Sequence, residues 1–259
     1  LIATMEDMFT HQSGMLFDKT LLDAIGPFNT GLRRSVDYDY ILRAARISTG
    51  AACPSVVFHQ RQHDGDRGAG ANKFPVSELV RRWIQHDQII FGRIHDSWPL
   101  DEFLPRGETI DGPSSRRQAL IQRGVVMARK KLWDLAMQDF AMAATLMERE
   151  LSDTERRLAR RGTQSKYGIQ ELLDNHVIGQ GLRDVASLSS VGAELIGELA
   201  TGFRWRIRDE LTRCHPRTAS RLLQLYITLT SSAFHNPHAS DSPWYSDDFL
   251  ATTHKSPGK

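Results

Sequence analysis

The residues best suited to chemistry fall in the first third of the 259-residue chain. Asp37 and Asp39 flank Tyr38 at the start of a stretch in which Tyr40, Ile41, Ala44 and Ile47 recur at helical spacing. The positive end of a helix dipole, with its free backbone N–H groups, favours an ionised carboxylate at such a position. A carboxylate within hydrogen-bond reach of a hydroxyl can take its proton as the oxygen attacks an electrophile. The same acid can simply cap the helix, so Asp37 carries two readings, base and cap. Further along, Arg61-Gln62-His63-Asp64-Gly65-Asp66-Arg67 gathers two guanidinium groups and an imidazole around a glycine. Such groups pair with phosphate oxygens and glycine lets a loop close over them, although a solvated charged loop has the same composition.

The elements that must position these groups are short. Residues 19–25 form a helix stopped by Gly26-Pro27, and residues 37–47 form a second. Residues 9–17 look extended, and Val56-Val57-Phe58 is a β-branched and aromatic run expected to be a strand. Residues 60–72 repeat no apolar period and are expected to be a loop. From residue 76 onward the pattern is helical, over 76–94, 114–128, 132–149, 153–161, 169–173, 189–200, 203–214 and 217–231, with a Pro- and Gly-containing linker over 98–113. The chain therefore divides into residues 1–76, a helix and linker over 77–113, a helical domain over 114–235, and a Ser-, Pro- and His-rich tail over 236–259 expected to be poorly ordered.

The run over residues 11–68 resembles the C-terminal, acceptor-side part of the catalytic domain of family 2 glycosyltransferases, which have the GT-A fold. The matching residues are Gly26-Pro27-Phe28-Asn29, Leu32, Asp37-Tyr38-Asp39-Tyr40 with Leu42-Arg43, and Arg61-Gln62-His63 with Gly65. The family usually has Glu before the acidic helix start, where this chain has Val36. The resemblance implies an inverting transferase that moves a sugar from a nucleotide-sugar donor to an acceptor hydroxyl. It makes Asp37 the catalytic base, sets Arg61, His63 and Arg67 against the substrate diphosphate, and makes His63 a metal ligand. It also implies a divalent metal, Mg or Mn, in the full-length enzyme. The nucleotide-binding half and its Asp-x-Asp motif would precede this region, so the chain is expected to be a C-terminal fragment that binds no cofactor tightly and is inactive alone. The fold expectation is mainly α: a small α/β remnant of a GT-A catalytic domain, then an all-helical domain.

The helical part supports a different function. Gly124, Trp133, Ala136, Phe140 and Ala143 fall where a tetratricopeptide (TPR) repeat places its small and aromatic packing residues. Trp133, Ala136, Phe140 and Ala143 share one helix face, which should bury against 114–128. One clear copy suggests a lone helical hairpin rather than an array, and such a hairpin needs other helices to cover it. The alternative reading is thus an all-helical protein–protein interaction module with a TPR-like hairpin.

Composition narrows the rest. Lys and Arg number 33 against 31 Asp and Glu, a net charge of +2, too small to argue for nucleic acid. The basic runs at Arg129-Lys130-Lys131, Arg156-Arg157 with Arg160-Arg161, and Arg204-Trp205-Arg206 with Arg208 have acidic neighbours and read as solvated helix faces. Two distant cysteines, Cys53 and Cys214, build neither a disulfide scaffold nor a cysteine zinc site, and a cytoplasmic location is expected. No apolar stretch reaches the roughly 18 residues of a membrane span. The opening residues from Leu1 do not resemble a signal peptide, and the chain reads as cut from something longer.

Overall fold

The computed structural model describes residues 1–8, 12–51, 53, 55, 56, 59 and 75–231. Among these residues there are twelve α-helices, three short 3-10 turns and no strand. The mainly-α expectation holds; the small α/β remnant of a GT-A domain does not. Within the segment expected to be extended, Gln12–Gly14 is a 3-10 turn. Val56 is 76% exposed and lies outside any strand, while Val57 and Phe58 fall outside the described residues. A β-branched pair and one aromatic satisfy strand propensity, but a strand needs a neighbour to take its backbone bonds, and the described residues offer none.

The chain divides into two compact units, Leu1–Trp98 and Pro99–Lys259. The first holds α1 (Ile2–Glu6), α2 (Lys19–Ile25), α3 (Val36–Ile47) and α4 (Leu79–Ser97). The sequence specifies α2 at both ends. The Asp18 side chain accepts the Thr20 N–H at 2.8 Å, and Gly26 at φ +70° ends the helix, a backbone angle that glycine adopts without strain. Helix α3 supplies the core: Tyr38, Ile41 and Leu42 are buried with Met5, Ile90 and Phe91. The Tyr38 hydroxyl donates to the Thr4 carbonyl at 2.7 Å, which anchors α1 on α3, and its ring lies 5.6 Å from that of Phe91 on α4.

The second unit holds α5 (Pro113–Arg129), α6 (Trp133–Thr145), α7 (Asp153–Arg161), α8 (Gln170–Asp174), α9 (His176–Ser187), α10 (Ser190–Thr201), α11 (Arg204–Thr212) and α12 (Pro216–Thr230). Trp133, Ala136, Phe140 and Ala143 are all buried, as the helical spacing predicts. Gly124 is the contact point of the hairpin. A Cβ there would sit 2.6 Å from Phe140 Cε1 and 3.2 Å from the Ala136 carbonyl oxygen, so only glycine lets α5 and α6 approach this closely.

The hairpin is not alone. Helix α7 packs on α5 and on α10, while α9 packs on α6 and on α12, giving two parallel layers of helices. The polar contacts between successive helix pairs recur at a separation of 38 residues: Arg117 with Glu155, Arg156 with Glu194, Arg160 with Glu198, and Trp133 with Glu171. This is the geometry of stacked helical hairpins, in which each pair covers the apolar face of the one before.

Candidate functional site

Asp37 lies in the first turn of α3, half-buried, and its Oδ1 accepts the N–H of the adjacent Tyr38 at 3.0 Å. Ser35, which precedes the helix, is held at φ +54° and makes no side-chain cap, so the carboxylates of the first turn are the acidic groups at this helix start. Asp39, one residue beyond Tyr38, is buried and pairs with Arg43 at 3.0 Å. Arg43 in turn donates to the Ile25 carbonyl and, at 3.0 Å, to the Pro27 carbonyl, and stacks 5.1 Å from the Tyr40 ring centroid. Phe28 also packs against Tyr40, with ring centroids 4.3 Å apart. The Gly-Pro-Phe turn, the acidic helix start and Leu42-Arg43 are therefore one packing unit: Arg43 satisfies carbonyls at the end of α2, and Asp39 neutralises Arg43.

Arg61, His63 and Arg67 lie outside the described residues. The structure therefore places only Asp37 among the residues expected to carry sugar transfer. Among the described residues no group of three or more His, Cys, Asp or Glu is placed to hold a metal ion. No helix among them is long and apolar enough to cross a membrane.

The layered helices of the second unit carry a second candidate surface, which the sequence did not announce. Arg117 and Glu155, each 2% exposed, form a paired bond between α5 and α7 at 2.7 and 2.8 Å. Arg117 also donates to the Arg149 carbonyl and, at 3.0 Å, to that of Glu150, in the connection after α6, which ends at Thr145 rather than at residue 149. Burial works to raise the Glu155 carboxyl, but hydrogen bonds from Arg117, then from the backbone N–H and hydroxyl of Ser152, outweigh it and hold the carboxyl below its ordinary range.

Above this pair, Arg156 on α7 bonds Glu194 on α10, with Nε to Oε1 at 2.6 Å, and an open pocket of about 280 Å³ is lined by Glu150, Arg156, Ser190, Val191 and Glu194. One turn further, Arg160 bonds Glu198 at 2.5 Å. These hydrogen bonds raise both guanidinium groups above their ordinary range. The basic runs expected to be solvated faces are mostly engaged within the fold. Arg129 is buried and donates to the Arg161 and Gln164 carbonyls at 2.8 and 3.0 Å. Lys131 reaches Glu171 at 2.7 Å.

The 38-residue offset leaves a trace in the sequence: Leu120, Leu158 and Ile196 form one row, Gly124, Gly162 and Ala200 a second, and Gln118, Arg156 and Glu194 a third. Beyond the Leu120/Leu158 and Gly124/Gly162 pairs the rows keep size and polarity rather than residue identity, so a single TPR-like copy stands out in the sequence.

No protein-family model matches the chain, and neither curated proteins nor solved structures do. With no strand among the described residues and no family match, the resemblance to family 2 glycosyltransferases is overturned. The residues that suggested it are accounted for, from Gly26 to Arg43, by the packing of α2 on α3.

Proposed function

We propose that the second unit is a helical-repeat scaffold for protein–protein interaction. The observation that carries this reading is the 38-residue recurrence of contacts across α5, α7 and α10. Stacked hairpins of this kind present an extended, slightly curved surface that is wider than any one helix, and such surfaces serve as docking platforms. The exposed side of this stack carries paired charges rather than a closed cavity, which suits a polypeptide partner more than a small molecule. A nucleic-acid partner is disfavoured, because Arg129, Lys131, Arg156 and Arg160 are engaged by carbonyls or carboxylates of the chain itself. The cytoplasm is the proposed compartment: Cys53 and Cys214 are both free and exposed, a state that a reducing environment preserves.

The test is affinity capture by the full chain from extracts, quantified against Arg160→Glu. That substitution places a like charge beside Glu198 on the stack surface, where Arg160 is 44% exposed and the fold should tolerate it. Reproducible partners that are lost with the variant, at unchanged helicity, support the scaffold reading. Capture that ignores the substitution, or turnover of nucleotide-sugars by the chain, would overturn it.

A further inference from the structure

The last described helix leaves an apolar flank uncovered. On α12, Ala219, Leu222 and Leu229 are buried, whereas Leu223 and Ile227, one turn apart, are 46% and 53% exposed. Tyr226 adjoins this pair, with Arg204 of α11 5.8 Å from its ring centroid. Arg208 and Arg217 are also exposed, and neither forms an ion pair with a described residue. The flank is thus two aliphatic side chains beside an aromatic ring, with guanidinium groups on the same two helices.

We propose that residues 241–250 of this same chain, Asp-Ser-Pro-Trp-Tyr-Ser-Asp-Asp-Phe-Leu, dock on this flank and cover the last described helix of the stack. Three observations favour this occupant. The first is reach. Helix α12 is 15 residues long, about 22 Å. The ten steps from Ser231 to Asp241 span up to about 35 Å, so the segment can return over any turn of α12. The second is composition. Trp244, Tyr245, Phe249 and Leu250 are the large apolar side chains closest in sequence to α12 after Phe234, and they occur as two pairs. The third is charge: Asp241, Asp247 and Asp248 make the segment acidic with no Lys or Arg in it, opposite the guanidinium groups of Arg204, Arg208 and Arg217. Among the described residues no further helix pair follows α12 to bury its flank, and an uncovered flank of a helical stack needs a cover. The inference goes beyond the scaffold reading and stands whether or not the stack binds a partner.

The test uses the full chain with Trp244 replaced by the photo-crosslinker p-benzoylphenylalanine. Irradiation followed by peptide mapping should join residue 244 to residues 219–230 of the same molecule. A mixture of heavy- and light-isotope chains should give no mixed product. In the same chain, Ile227→Asp should lower the crosslink yield by about fivefold, the effect of setting an unpaired carboxylate against an apolar contact. Because Ile227 is half exposed on α12, that variant should keep its helicity by far-ultraviolet circular dichroism. Crosslinks elsewhere, mixed-isotope products that reveal a second copy as the occupant, or a yield unaffected by Ile227→Asp would each overturn the proposal. Partner capture scored in parallel separates failure here from failure of the scaffold reading.

Discussion

Removal of one guanidinium should unfasten the helical stack. Arg117→Met keeps an unbranched side chain of similar length but strips the partner from Glu155, which is 2% exposed, and leaves the Glu150 carbonyl without its 3.0 Å donor. Breaking a buried ion pair from one side costs about 3–5 kcal/mol, because the remaining charge is neither hydrated nor neutralised. That is a fifth or more of a typical total stability of about 5–15 kcal/mol. Urea unfolding followed by far-ultraviolet circular dichroism should show the loss as a lower midpoint. The dependence on pH has a definite sign. The Glu155 carboxyl is held below its ordinary value in the folded chain, so its contribution is fully present above the unfolded carboxylate range near pH 4.5 and is lost as pH falls through the folded value. Without Arg117 the folded value rises, so the gap between wild type and variant should be widest near neutrality and should narrow in acid. The double variant Arg117→Met/Glu155→Leu should recover most of the lost stability, since replacing a whole buried pair by apolar groups is often neutral. A single variant within about 1 kcal/mol of wild type at neutral pH, or a gap that widens in acid, would refute the reasoning.

Other perturbations report on other contacts. Gly124→Ala should lose about 1–2 kcal/mol in chemical denaturation, because the clash with Phe140 exceeds the gain in helix propensity, and Phe140→Leu in the same chain should restore part of it. Ala136→Arg, at a fully buried position, should cost about 2–4 kcal/mol and lower the thermal midpoint of the helical unit. Arg43→Leu removes the nearer of the two guanidinium partners of Asp39, leaving Arg93 at 3.9 Å, and the bonds to the Ile25 and Pro27 carbonyls, so amide exchange within α2 should accelerate while exchange in α5–α10 stays unchanged.

Local signals located several helices well. The bounds of α2 and α7 agree with the sequence reading, because Asp18 and Gly26 bracket the first, and Ser152 with Glu155 forms a capping box at the start of the second. Helix α9 escaped that reading: Gly179 and Gly181 interrupt its propensity, although the Asn175 side chain caps Val177 at 3.0 Å and Ile178, Leu182 and Val185 share its buried face. The basic run from Arg129 to Lys131 misled for another reason. Its side chains are long enough to cross to the next hairpin, and the carbonyls they satisfy lie 32 to 37 residues away, beyond the window of any local pattern. The Asp39–Arg43 pair was legible as helical i,i+4 spacing, but its service to α2 becomes visible only when the Ile25 and Pro27 carbonyls are seen to converge on Arg43.

Lys131 joins α5 to α6 with a left-handed backbone, φ +65°, a conformation that costs a side-chain-bearing residue about 1 kcal/mol or more. The side chain explains why glycine is not there: its ammonium group reaches Glu171 at 2.7 Å and the Gly168 carbonyl, both beyond α7, while Glu171 also accepts the Trp133 indole N–H at 3.2 Å. The bend of the first hairpin is thereby fastened to the helix pair that follows. In a stack, the angle between neighbouring pairs sets the pitch of the whole ribbon, so this strap acts as a stiffener at one joint. A glycine in its place would relax the bend locally and make the ribbon more compliant, trading elastic precision of the array for comfort in a single turn.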